Sequence, residues 1–357
     1  MVTAEMREDT PHNRSFRTHA AYLDSFRDLA FGSGFKGRHR DLPALGDRAL
    51  AAYGNKIKRV QGSDEDVIRG CLYRAWGTET MLCTTAELSG DAELTRLALA
   101  WGAVQAYYAC YGAVQAVLTA GGKPRSEQHN ATQRQCAELW TQRSFTLEPW
   151  SFASSEPGAR GACSDGFLNG PLRSLDLTLH PWLGLAPGQE WDLAAKALRT
   201  TREERVKDAL TRARDTKQKA RAKEWRDEEA ARLASGRKAR ALPAFPLPQL
   251  TSAEKQAERA RVRPFTLLDY LFRLRLKANY ADYELFSQGP ERDSDAERFS
   301  SNLQDIVTST LLVHELLLGQ MLGPQWVTHQ ASDWLKKHDA SAAKHGLVAR
   351  LGVLRAA

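Results

Sequence analysis

The stretch Leu97–Leu118, LALAWGAVQAYYACYGAVQAVL, runs for twenty-two residues without a charge and ends at Gly121-Gly122 and KPRSEQHN. Ala98, Gly102, Ala106, Ala109, Ala113 and Ala116 recur three or four residues apart in it, a spacing that lets neighbouring helices approach its axis. The run therefore predicts a central helix enclosed by others, with Tyr107, Tyr108 and Tyr111 set among the small residues. Its length would also suffice to cross a bilayer. Gln105, Gln115 and the three hydroxyls argue against that, because each would need a partner in hydrocarbon. The opening MVTAEMREDTPHNR contains no apolar h-region. The expectation is a cytoplasmic protein that makes no membrane contact.

A chain of 357 residues has room for more than one domain and for a sizeable core. Its five cysteines, Cys71, Cys83, Cys110, Cys136 and Cys163, are odd in number and include no C-x-x-C pair and no histidine at ligand spacing. Neither a disulfide framework nor a metal site is indicated, and no cofactor motif is present. FGSG at 31–34 lacks the following Lys-Ser/Thr of a phosphate loop and reads as a turn.

Helical periodicity organises much of the rest. Residues 1–62 form an N-terminal helical extension with short stretches such as Ser15–Ala30. From Ser63, SDED supplies an N-cap and an acidic first turn for a helix over 64–88, and Ser89-Gly90-Asp91 turns it into a second over 91–120. Glycine and proline then punctuate 141–189, where LRSLDLTL at 172–179 is the one plausible strand. A core signal resumes at Phe265 with TLLDYLFRLRLKANYADYELF, followed by a loop at Gly289-Pro290 and a helix over 294–322. Residues 324–357, with His338 and His345, read as a C-terminal tail.

Charge is concentrated in one place. The net charge is +7, and Arg199–Arg240 alone holds fifteen Lys or Arg against eight Asp or Glu. This stretch belongs to a long helix, Glu190–Arg240, ended by ALPAFPLPQL. It reads first as a solvated helix laced with i,i+4 ion pairs, and second as a surface for RNA or DNA phosphate through Arg212, Arg214, Lys217, Lys219, Arg221 and Lys223.

The two hairpins together resemble the HEPN superfamily of helical bundles from prokaryotic defence, toxin–antitoxin and nucleotidyltransferase-partner proteins. AYYACYGAVQAVLTAGGKPRSEQHN (106–130) is similar to that family's tyrosine-rich second helix, its glycine end and a following loop histidine, and RLKANYADY (275–283) to its later motif helix. The resemblance implies a mainly α fold: a HEPN-like bundle from 63–140 and 264–323, interrupted by an insertion, 141–263, that carries the basic helix.

In nuclease members, Arg and His of an R-x4-6-H motif cluster at a dimer interface and cleave RNA without metal. A base must serve the ribose 2′-hydroxyl and a cation the developing phosphate charge. Here Arg275 is followed after four residues by Tyr280, and a phenol with a pKa near about 10 is a poor base at neutral pH. Arg7–His12, Arg14–His19 and Arg173–His180 also fit the spacing but lie off that helix, while Arg125–His129 is one residue short. His314-Glu315 lacks a second histidine for zinc. The candidate site is thus Arg275, Tyr280 and His129. The expectation is a nucleic-acid-associated component of a defence or toxin–antitoxin-like system with a degenerate site. The alternatives are a noncatalytic subunit that docks a protein partner or a second copy, and a metal-free ribonuclease.

Overall fold

In the computed structural model, residues 11–32, 41–87, 92–141, 146–156, 189–281, 284, 286, 289–290, 293–338 and 346–357 are described. The fold is mainly α. Its elements are α1 (Pro11–Phe31), α2 (Leu42–Tyr53), α3 (Glu65–Glu87), α4 (Ala92–Ala120), α5 (His129–Thr141), α6 (Gln189–Ala234), α7 (Ser252–Arg261), α8 (Leu267–Leu276), α9 (Asp293–Leu322), α10 (Pro324–Lys337) and α11 (Leu347–Ala356). A π-helical turn, Lys277–Ala281, continues α8. The strand expected at 172–179 lies outside the described residues.

The apolar run becomes α4, which packs along α3, α8 and α9. Its small residues set how closely α3 approaches: a Cβ at Gly112 would stand 3.1 Å from both the Ala75 Cβ and the Cys71 carbonyl. Asp64 caps α3 by accepting from the Val67 amide at 3.1 Å, with Glu65 and Asp66 in the first turn beside the positive end of the helix dipole. Gly122, at φ +78°, ends α4; its own amide and that of Lys123 return to the carbonyls of Thr119 and Leu118, satisfying the last acceptors of the helix.

A single apolar cluster joins the segments on either side of the interruption. It includes Trp76 of α3, Tyr107 of α4, Tyr270 of α8 and Leu312 of α9, together with Phe26 of α1, Leu45 of α2, Leu198 of α6 and Trp334 of α10. Tyr107 and Phe272 bring α4 and α8 into contact, with ring centroids 5.3 Å apart. An isolated antiparallel bridge between Ser154 and Phe265 fixes the chain where α8 begins.

The segment 324–357 is not a tail. It forms α10 and α11, and Leu347, Leu351 and Leu354 enter the core. Arg350 is fully buried, giving Nε and Nη2 to the two oxygens of Glu315 at 2.8 Å each and Nη1 to Glu79 at 2.5 Å. Trp76 Nε1 donates to the same Glu315 at 2.7 Å and Thr308 to Glu79 at 3.0 Å. Glu315 is 35 residues from Arg350 and the other pairs are 229 to 271 residues apart, so local periodicity carries no trace of the cluster.

The long helix ends at Ala234, six residues before Arg240, because Gly236 at φ +78° closes it with Gly236 and Arg237 amides returning to Leu233 and Arg232. Its first turns are embedded through Leu193, Ala194, Ala195, Ala197 and Leu198 beside α1. Beyond Val206 the helix is largely solvent-facing. The proline-rich segment after it doubles back along one side: Arg240 is held by Glu229 at 2.6 Å, Phe245 meets Trp225, and Lys217 pairs with Glu254 of α7 at 2.6 Å.

Candidate functional site

The start of α5 and the last turns of α8 meet beside the tyrosines of α4. Tyr107 and Tyr111, one turn apart, face the loop after α4 and the start of α5. The Ser126 carbonyl accepts from the Tyr111 hydroxyl at 3.2 Å and from Gln115 Nε2 at 2.7 Å, which pins that loop. Thr132 of α5 donates to the Tyr111 oxygen at 3.2 Å. The polar groups that made Leu97–Leu118 unsuitable for lipid are therefore used to anchor the next element. His129 does not lie in a loop, as expected from sequence, but is the first residue of α5.

Arg263 fixes α8 against α5. Its guanidinium is forked onto Asp269 at 2.5 and 3.0 Å and also reaches Gln133 of α5 at 3.0 Å, while Asp269 accepts from the Thr266 amide at 2.8 Å. One buried carboxylate thus caps α8 and orients the arginine that holds α5. As a result Arg275, two turns into α8, and His129 come to the same aromatic cluster.

The Arg275 guanidinium carbon lies 5.0 Å from the centroid of Tyr108, 5.5 Å from Phe272 and 5.7 Å from Tyr107, an environment in which ring faces stabilise the cation. Its Nε is buried with no hydrogen-bond acceptor among the described residues. The His129 ring centroid stands 5.0 Å from Tyr111, 5.4 Å from Phe272 and 5.5 Å from Tyr107, and its Nδ1 is 2.8 Å from the Tyr107 hydroxyl.

Electrostatics assign the protons. Burial raises the Tyr107 pKa far above the usual phenol value, so the hydroxyl keeps its hydrogen. A phenol that keeps its hydrogen can donate it to His129 Nδ1, 2.8 Å away. Burial first, and then the Arg275 charge, lower the His129 pKa below 6.5. The ring is neutral at neutral pH, and in the tautomer in which Nδ1 accepts from Tyr107 its hydrogen sits on Nε2. The site therefore presents a guanidinium and an imidazole N–H, both donors suited to an oxyanion. The unprotonated nitrogen that a general base would need faces Tyr107 instead.

Tyr280 is not part of this cluster. It projects from the π turn 277–281, is 73 % exposed, and has no hydrogen bond among the described residues. Sequence reasoning missed Tyr108 and Phe272, which complete the cluster, and the Arg263–Asp269–Gln133 brace that positions it. Along α4, Trp101 lies two turns before Tyr108 and is 64 % exposed.

Of the basic residues on α6, Arg212, Lys219, Arg221 and Lys223 are exposed, Arg214 is partly buried, and Lys217 is engaged by Glu254. Arg212, Lys219 and Lys223 share one face of the helix. His314 and Glu315 point into the core, His314 Nδ1 at 2.7 Å from the Thr310 carbonyl and Glu315 bound to Arg350. Cys71, Cys110 and Cys136 are buried free thiols, Cys83 is buried as well, and Cys163 lies outside the described residues. Among the described residues no group of three or more His, Cys, Asp or Glu is placed to hold a metal ion, and no helix is long and apolar enough to cross a membrane.

Fold and site together define a mainly α protein with an arginine–histidine aromatic cluster at one helix junction and a long charged helix projecting from its core. No family model matches the chain, and no curated protein or solved structure is significantly similar to it.

Proposed function

We propose that the Arg275–His129 site binds nucleic-acid phosphate without cleaving it, and that the chain is a nucleic-acid-associated component of a prokaryotic defence or toxin–antitoxin-like system with a HEPN-like bundle. One observation carries this reading: Arg275 and His129, far apart in the chain, meet on one aromatic cluster, with the Tyr107 hydroxyl 2.8 Å from His129 Nδ1. Tyr108 and Trp101 add exposed ring faces on which unpaired bases can stack, and Arg212, Lys219, Arg221 and Lys223 extend the cationic surface. The HEPN resemblance supplies the biological setting.

The test is binding of a labelled single-stranded RNA followed by fluorescence anisotropy. Arg275→Ala is expected to weaken binding about tenfold, and replacing Arg212, Lys219 and Lys223 with alanine to flatten the salt dependence. RNA that stays intact through the assay supports a binding site. Binding indifferent to Arg275→Ala would overturn the site, and metal-independent cleavage lost in His129→Ala would overturn its noncatalytic character.

A second reading, a noncatalytic subunit that docks a protein, is favoured by Leu94 and Trp101, exposed apolar residues on α4. RNA that binds in competition with a protein partner at Trp101 would join the two readings. Trp101→Ala that leaves RNA affinity unchanged would separate them.

A further inference from the structure

At the root of α6, between the segment 154–156 and α7, lies a cleft of about 440 Å³ whose lining includes Glu156, Arg199, Arg202, Glu203, Lys207 and Arg259. Its carboxylates are already engaged. Glu156 takes Arg202 Nη1 at 3.2 Å and Arg259 Nε at 3.4 Å, Glu203 takes both terminal nitrogens of Arg259 at 3.1 and 2.9 Å, and Glu204 takes Arg273 Nη2.

The arginines retain unused donors. Arg202 is only 4 % exposed; its Nη2 serves the carbonyls of Arg259 and Val262, but its buried Nε has no acceptor among the described residues. Behind Glu204, Nε and Nη1 of Arg273 are buried in the same condition. Lys207 stands exposed at the rim, outside all these pairs. Burial lowers the Arg202 pKa even with Glu156 beside it, so its charge is only partly compensated. A buried guanidinium N–H without an acceptor is costly, and an oxyanion beside it supplies a charged acceptor for the single Nε–H that Arg202 has left.

We propose that this cleft is a phosphate-binding site, separate from the Arg275–His129 cluster, in which Arg202 Nε and Lys207 hold the oxyanion. The group belongs either to a small phosphate monoester or to a nucleic-acid backbone that reaches the root of the arm. Both donors lie on α6, where Glu156 and Arg259 tie the segment 154–156 and α7 to it, so a phosphate held there sits at the base of the projecting helix.

The site is tested by isothermal calorimetry at constant ionic strength with inorganic phosphate, adenosine 5′-monophosphate and a single-stranded oligoribonucleotide ending in a 5′-hydroxyl. Saturable millimolar or tighter binding of any of the three, weakened about tenfold in Lys207→Gln and in Arg202→Lys, is the expected result. Arg202→Lys keeps a cation beside Glu156 and removes the Nε–H. Should it fail to fold, Lys207→Gln, at an exposed position, carries the test alone. Binding of the first two probes without the third identifies a small monoester, and binding of the third alone identifies backbone phosphate. No saturable binding, or affinity unchanged by Lys207→Gln, overturns the proposal. Phosphate binding in this cleft is read by Lys207→Gln and Arg202→Lys on inorganic phosphate and the Arg275 site by RNA anisotropy, so the failure of one is told apart from the failure of the other.

Discussion

Tyr107 Oη lies 2.8 Å from His129 Nδ1, and this contact between α4 and the first residue of α5 decides which imidazole nitrogen is left for a ligand. A buried phenol that keeps its proton can donate to Nδ1 and so place the imidazole N–H at Nε2. Together with Arg275, it favours gripping an oxyanion over abstracting a proton.

Tyr107→Phe removes the donor that sets this tautomer. The nitrogen-15 spectrum of His129 is expected to shift from protonation at Nε2 toward a mixture, with a loss of about 1 kcal/mol in unfolding free energy by urea titration. A spectrum identical to that of the unaltered protein would refute the assignment.

Acidity should strengthen the Arg275–His129 site. The His129 pKa is lowered by burial and by Arg275, so the ring gains its charge only below the usual histidine range. RNA affinity is then expected to rise as pH falls below about 6.5, because a second cation forms next to Arg275. His129→Asn should abolish that rise; an equal rise in the mutant would place its origin elsewhere.

A different histidine governs stability. His314 is buried in α9 with its pKa lowered to about 4 by desolvation. Between that value and the unfolded histidine value the unfolded chain binds the extra proton, so stability is complete above about pH 6.5 and declines by about 3 kcal/mol toward pH 4. Urea midpoints across this range, compared with His314→Gln, measure the contribution. A mutant with the same slope as the unaltered protein would exclude His314 as its source.

Arg350→Met leaves Glu79 and Glu315 without their shared cation in the core. The expected cost is about 3–5 kcal/mol at neutral pH. Urea denaturation curves of the mutant and the unaltered protein measure it. A destabilisation below about 1 kcal/mol would show that the pairing contributes little.

Sequence and structure agree where the information is local. Asp64 caps α3, the small residues of α4 admit α3 at Gly112, and Gly122 ends α4, each readable from a few neighbouring residues. Disagreement comes from distant partners. Leu347, Leu351 and Leu354 form an apolar face too short to stand out, and Arg350 looks like a surface charge until Glu79 and Glu315 are seen around it. KPRSEQHN has the composition of a loop, yet Tyr111 and Gln115 hold Ser126 so that α5 starts at His129. The spacing from Arg275 to Tyr280 suggested one site, but the π turn carries Tyr280 outward.

The continuity of α6 has a mechanical consequence. Its turns up to Val206 are gripped by the core, while the 28 residues from Lys207 to Ala234 make an unbroken rod of about 42 Å beyond that fulcrum. A molecule that seizes the tip exerts torque on the inner turns. Those turns lie against α1 and α8, so strain applied at the far end arrives at the helix that carries Arg275.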